Sequence, residues 1–253
     1  MMKAFSLKGH AALVTGSSQG IGLAIARGLS DAGARVVHHG LQTRPAEVPG
    51  DAAYFSDDLM NADAARNLIE SACRAEPGLD ILVCNAGSFF DTPFMEMSPD
   101  LWERTMHLNL RANFFLVQAF AKALIARGAP GSVVIVSSTN AFQAEPDSVA
   151  YDASKGALAM MTRSLAVSLA PHAIRVNGVA PGLIRTPLSG VWMELRAHDL
   201  VKHYEKKILL GRIGEPDDCA GAVVFLCSAA ASYIDGEIIV IDGGLTVSQV
   251  GRL

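Results

Sequence analysis

Ala11-Ala12-Leu13-Val14-Thr15-Gly16-Ser17-Ser18-Gln19-Gly20-Ile21-Gly22 is the stretch that decides the fold. Four small or branched apolar residues in succession, without polar alternation, read as a strand buried on both faces. The glycines that follow read as a sharp turn, and Gly22 to Ala32 as a helix. At such a junction glycines let the backbone approach a pyrophosphate, while the helix start offers unpaired N–H groups and the favourable end of its dipole. Three residues separate Gly16 from Gly20, which departs from the usual G-x-G-x-x-G, and a plain structural turn is the alternative. No Gly-Lys-Ser/Thr follows, which excludes a P-loop.

Outward from this stretch, strand-like and helix-like segments alternate. Strands are expected at Arg35 to His39, Asp80 to Cys84, Ser132 to Ser137, Ile174 to Val179 and Glu237 to Ile241. Helices are expected at Ala62 to Ala75, Leu101 to Arg127, Ser148 to Ala170 and Asp217 to Ala229. The alternation predicts an α/β fold: a single doubly wound, Rossmann-type domain over residues 1–253, its parallel sheet flanked by helices on both faces. Leu188 to Lys207 breaks the rhythm and reads as a substrate lid at roughly residues 188–210. Trp192, Met193 and Tyr204 within it are read as pocket wall or as core packing.

The 253 residues are 50% hydrophobic and 18% charged, with a net charge of -4, so the chain can fill a sizeable core and carries no basic stripe for nucleic acid. Cys73, Cys84, Cys219 and Cys227 form no C-x-x-C pair and sit among apolar or small residues, as reduced thiols do. Met1 to His10 has no apolar run of the signal-peptide kind, and Cys219 to Ile234 is broken by serines, so neither export nor membrane insertion is expected. The expectation is a soluble, cytoplasmic protein. No metal site is expected. His38 and His39 alternate across a strand and cannot share an ion, and Glu194 with His198 lacks a third ligand.

Tyr151 and Lys155 lie four apart on an expected helix and share one face. A phenol titrates near 10 and is a poor base at neutral pH. A neighbouring ammonium, with the charge of an oxidised nicotinamide, favours the phenolate, so the pair suits a carbonyl/alcohol couple. Val133 to Val136 runs into Ser137 and Ser138 at the carboxyl edge of a strand, where open α/β sheets bind ligands. A serine there either hydrogen-bonds a substrate oxygen or caps the next turn.

Thr15 to Gly22, Asn85-Ala86-Gly87, Asn109, Ser138, Tyr151, Lys155 and Asn177 to Gly182 stand in the order and spacing of the short-chain dehydrogenases/reductases. The resemblance runs from Leu7 through Gly211 to Pro216 and on to Asp242-Gly243-Gly244. It implies that Tyr151 is the general acid or base, that Lys155 lowers its pKa and holds the nicotinamide ribose, that Ser138 orients the substrate oxygen, and that Asn109 supports a proton relay through water. It places Gly16, Ser18, Gln19, Gly20, Ile21 and Gly22 on the dinucleotide, Asp58 and Leu59 at adenine, and Asn85, Ala86 and Gly87 along the cofactor channel. Pro181, Gly182, Ile184 and Thr186 fall at the nicotinamide end. Asp58 has a second reading, as N-cap of the following helix. Relatives of this kind are commonly tetramers built through long helices, and Leu108 to Leu124 and Leu158 to Leu169 are compatible with a homotetramer.

Cofactor choice turns on the end of the second strand, where an acid binds the ribose of NAD and an arginine the 2′-phosphate of NADP. Here Gly40-Leu41 carries neither. Arg44 or His39 reaches a phosphate, which leans the reading to NADP; Arg44 as a solvated loop residue is the alternative. The leading expectation is hydride transfer between the nicotinamide cofactor and a small-molecule alcohol or carbonyl: a sugar, polyol, sugar acid or acyl thioester. Arg196, Lys202, Lys206 and Lys207 are candidate anchors for a carboxylate. A catalytically silent nucleotide-sensing or scaffold protein of the same fold is the alternative, disfavoured by the retained Tyr151 and Lys155. An epimerase or dehydratase is a third reading, for which the chain leaves little room.

Overall fold

Seven strands form one all-parallel sheet in the order β3-β2-β1-β4-β5-β6-β7. The computed structural model describes residues 3–195 and 197–251, and within them says nothing of the side chains of residues 191, 192, 194, 195 and 197–199. The strands are β1 Ala11–Val14, β2 Arg35–Gly40, β3 Tyr54–Ser56, β4 Leu79–Cys84, β5 Gly131–Val136, β6 Ile174–Pro181 and β7 Ile238–Ile241. Strand order reverses at β1, which pairs with β2 on one side and β4 on the other. A ligand crevice therefore opens beyond the carboxyl ends of β1 and β4.

The uninterrupted apolar strands are uninterrupted because both faces are covered. Leu13, Leu82, Val133 and Val176 point into one core, where α2 (Ala64–Ala75), α4 (Ala112–Arg127) and α5 (Val149–Leu169) contribute Leu68, Phe120 and Leu158. Ala12, Val14, Val83 and Val134 point into the other, against Ile25 and Leu29 of α1 (Gly20–Asp31) and Val223 and Leu226 of α8 (Asp217–Cys227). The doubly wound Rossmann-type architecture is as the sequence predicts.

Three elements differ. The edge strand β3 has only three residues, none of them buried, and left no apolar run to read. The long helix expected from Leu101 starts earlier, as α3 (Pro99–Met106), where the Ser98 hydroxyl accepts from Leu101 N–H. It then widens into a π turn at His107–Arg111 before continuing as α4. Such turns cluster at functional sites, and this one carries Asn109. The segment off the main rhythm forms two helices, α6 (Pro187–Leu195) and α7 (Ala197–Lys207). Met193 and Tyr204 pack there with Ile208, Ile213 and Leu245 in a separate small cluster. Trp192, Glu194, Arg196 and His198 lie outside the described side chains. No described helix is long and apolar enough to cross a membrane.

Candidate active site

The glycine turn is clamped from β4. Asn85 donates from Nδ2 to the carbonyls of Thr15 (2.9 Å) and Gly16 (3.1 Å). The Thr15 hydroxyl in return accepts from the N–H groups of Asn85 (3.0 Å) and Ala86 (3.1 Å). The packing explains the glycines: a Cβ on Gly22 would stand 2.2 Å from the Gly16 carbonyl oxygen and 2.4 Å from Asn85 Nδ2. Helix α1 begins at Gly20, so its first N–H groups have no partner within the helix and face the crevice. Turn, clamp and helix start form a cradle that fits an anionic dinucleotide.

One cleft of about 470 Å³ runs from this turn to the carboxyl end of β5. Gly16, Gln19, Gly20, Ile21 and Gly22 line one end, with Asn85 and Gly87 along the wall. Ser138, Tyr151 and Lys155 line the middle, and Pro181, Gly182, Ile184 and Thr186 the far side. Ser18, Ala86, Asn109, Asp58 and Leu59 stand behind or beyond this lining. Leu59 is buried in the core, so only its backbone is free to meet a base. Asp58 accepts from Met60 N–H at 2.9 Å, a local turn bond, while α2 takes Asp63 as its N-cap position.

Tyr151 and Lys155 sit one turn apart on α5, with Lys155 Nζ 5.4 Å from the Tyr151 ring centroid. Lys155 is 6% exposed and donates to the Val136 carbonyl at 3.2 Å, while its own carbonyl accepts from Ser137 Oγ at 2.9 Å. Burial draws its ammonium down to about 8. Burial also pushes the Tyr151 phenol up to about 12, opposed by a hydrogen bond with Ser138 and reinforced by Asp91 and Asp152. At the Tyr151 phenol, burial outweighs the opposing hydrogen bond of Ser138. The Ser138 hydroxyl caps Asn140 N–H at 3.2 Å and contacts the Tyr151 phenol. Asn109 is clasped by the Ser88 backbone (Nδ2 to O, 2.8 Å; N to Oδ1, 3.0 Å) and by Ser154 Oγ (3.1 Å).

Other groups complete the site: Phe89 and Glu145 on loops, Asp152 on α5, and Tyr204 of α7, which the sequence offers as pocket wall or core packing. Phe89 stacks edge-on against Tyr151 at 6.1 Å. Asp152 gathers Asn140 Nδ2 (2.7 Å) and the N–H of Glu145 (3.1 Å), and Tyr204 of α7 hydrogen-bonds Glu145 from across the cleft. Lys202 and Lys206 are exposed, and neither they nor Lys207 lines the cleft. Among the described residues no group of three metal-ligating side chains occurs.

The adenine side corrects one expectation. His39 does not reach out to a phosphate; it is buried, with Nδ1 accepting from Gly16 N–H and Nε2 donating to the Asp57 carbonyl. The Arg44 guanidinium is spent on the carbonyls of Pro49 (3.1 Å), Gly50 (2.8 Å) and Ala52 (2.6 Å), which closes its own loop.

A family profile described as enoyl-(acyl carrier protein) reductase matches residues 16–246. Dehydrogenase/reductase SDR family member 4 of Homo sapiens is 39% identical over 249 residues, covering 94% of this chain and 88% of that protein. The chain belongs to the short-chain dehydrogenase/reductase family. This family member is also similar to the 3-oxoacyl-[acyl-carrier-protein] reductase of Aquifex aeolicus, 36% identical over 94% of this chain and 98% of that one. Among solved structures, it matches a gluconate 5-dehydrogenase from Burkholderia cenocepacia in complex with NADP and tartrate, with a TM-score of 0.90 and 34% identity, over 97% of this chain and 98% of that one. As a short-chain dehydrogenase/reductase, the chain is an NAD(P)-dependent oxidoreductase.

Proposed function

We propose that the enzyme interconverts a secondary alcohol and a ketone, with Tyr151 transferring the proton. The observation that carries this reading is the convergence of the Ser138 hydroxyl, the Tyr151 phenol and the Lys155 ammonium on the wall of a cleft whose other end is the glycine turn. A bound nicotinamide cofactor supplies the donor or acceptor of hydride. In reduction, Ser138 holds the substrate oxygen as negative charge develops on it, and Tyr151 gives that oxygen its proton. A phenol held near 12 keeps its proton until the alkoxide forms. Lys155, with one hydrogen bond to Val136, has donors left for a ribose and lies beside the phenolate when it appears. Asn109, fixed between Ser88 and Ser154, is assigned the onward relay through water. Helices α6 and α7 form the substrate lid, a role supported by Tyr204 reaching across to Glu145.

The cofactor reading keeps its lean to NADP, on different grounds. Gly40 presents no acid to repel a 2′-phosphate, and the similar gluconate 5-dehydrogenase structure holds NADP. The NADP-bound gluconate 5-dehydrogenase makes sugar acids and polyols the first substrates to try, with acyl thioesters next. Phe114 and Phe115 on α4 and Met160 on α5 are exposed apolar groups that support a homotetramer. Buried free thiols at Cys84, Cys219 and Cys227 support a cytoplasmic setting. The deciding experiment follows reduced-cofactor absorbance with NAD and NADP against these substrates. Turnover is the expected result. Cofactor binding without turnover on any of them would favour the silent, nucleotide-sensing reading.

A further inference from the structure

His39 lies at the end of β2, one residue before Gly40, and is 3% exposed. Its ring spans two segments that are distant in sequence. Nδ1 accepts from Gly16 N–H at 3.3 Å, and Nε2 faces the Asp57 carbonyl at 3.1 Å. A carbonyl only accepts and an N–H only donates, so these partners dictate one neutral tautomer, protonated on Nε2 and bare on Nδ1. The His39 backbone makes the same connection: its N–H donates to Ser17 Oγ at 3.1 Å and its carbonyl accepts from Ser17 N–H at 2.8 Å. On the far side, Asp57 N–H donates to the Gly40 carbonyl at 3.2 Å and leads directly into Asp58 and Leu59.

We infer that His39 is a positioning residue for the dinucleotide: its neutral imidazole sets the spacing between the glycine turn and the loop at Asp57-Asp58-Leu59. This rests on the dinucleotide reading of the cleft. The physical reason is that neither segment holds the other directly. The Gly16 N–H is turned inward onto the imidazole, which leaves the N–H groups at the start of α1 to meet phosphate. The ring nitrogens allow one arrangement only. A second proton would put Nδ1–H against Gly16 N–H, two donors facing each other, and the turn would have to move. Burial opposes that proton, while Asp57 and Asp58, the charged groups acting on the ring, favour it; burial is the larger effect. The glycine turn adds no titratable group of its own beside the ring. His38 alternates to the opposite sheet face, where burial lowers its pKa, a hydrogen bond with the Ser17 backbone opposes that and Arg44 adds to it.

The experiment measures dissociation constants for NAD and NADP by calorimetry on the full-length protein, from about pH 8 to about pH 5.5. His39→Asn keeps an acceptor where Nδ1 stands, gives up the Asp57 bond and removes the titration; His39→Gln keeps a donor where Nε2 stands and loses the Gly16 bond. Loss of one buried hydrogen bond corresponds to a weakening of about fivefold or more. The expected result is that His39→Asn and His39→Gln, each holding only one of the two segments, both bind more weakly than the wild type by about fivefold or more at about pH 7.5. Because burial holds the ring neutral, any weakening of the wild type relative to His39→Asn should appear only on the acid side of about pH 6.5, in a ratio in which the ligand's own phosphate titration and that of His38 cancel. Equal affinities for His39→Gln and the wild type, or a ratio to His39→Asn that already falls above about pH 6.5, would overturn the inference. A wild type that binds neither dinucleotide overturns the cofactor reading instead, and the inference with it. A thermal melt of each variant identifies one that has not folded, and the ratio for His39→Asn then decides alone.

Discussion

Replacing Lys155 by methionine should make the protein more stable and almost inactive. The ammonium is buried, and its pKa falls from 10.5 to about 8. At about 1.4 kcal/mol per pH unit, carrying that charge costs the folded state about 3 kcal/mol at neutral pH. Methionine fills a similar volume without charge. It leaves the Val136 carbonyl without its 3.2 Å donor, which takes back about 1–2 kcal/mol. The net gain is about 1–2 kcal/mol, or a few degrees in Tm for a chain of this size. The sign with pH follows from linkage. The folded pKa lies below the unfolded one, so between about pH 8 and about pH 10.5 the unfolded state holds more protons, and wild-type stability gains as pH rises. The advantage of Lys155→Met should therefore be full below about pH 8 and shrink above it. Urea denaturation of both proteins at about pH 7, 8, 9 and 10 reads this difference, and every other titrating group cancels. A variant less stable than the wild type at about pH 7, or an advantage unchanged up to about pH 10, would refute the reasoning.

Tyr151→Phe removes the proton carried at the reacting oxygen and little else; kcat should fall by about 10²–10⁴-fold with cofactor affinity nearly unchanged, measured by steady-state kinetics and calorimetry. Gly22→Ala forces its methyl to 2.2 Å from the Gly16 carbonyl oxygen, so it should cost about 1–3 kcal/mol in denaturation and weaken NAD(P) binding together. Phe120→Ala empties a site with 0% exposure in the core between α2, α4 and the sheet, and should cost about 3–5 kcal/mol while kcat/KM per folded molecule stays within about twofold.

What the sequence makes legible is what repeats or what sits on regular elements. Continuous apolar strands such as Ser132 to Ser137 announce a sheet covered on both faces, and the Tyr151–Lys155 spacing places both side chains on one side of α5. Less is visible where a residue acts through tertiary partners. Nothing local marks Phe89 or Glu145 as cleft wall, because their positions are set by Tyr151 and Asp152. His39 is the clearest example. Beside a strand end that usually decides cofactor preference, a histidine reads as an outward ligand for phosphate, yet its environment is interior, and the partners that capture it lie 23 residues before (Gly16) and 18 after (Asp57). Arg44 is misleading for the same reason: three carbonyls of its own loop compete successfully for the guanidinium.

The same balance separates an enzyme from a silent protein of this fold. Binding a nucleotide at the glycine turn requires the Asn85 clamp and the start of α1, and both are complete without α5. A buried ammonium at Lys155, held by a single carbonyl and drawn down to about 8, opposes folding and adds nothing to that clamp. Tyr151 likewise carries a hydroxyl that a phenylalanine could replace in packing against Phe89. Both departures from the stablest choice suit holding and moving a proton beside Ser138, a use a phenol has no need of in binding alone, and perturbed groups gathered in a cleft are where such chemistry resides. The strain in the site therefore favours turnover over sensing.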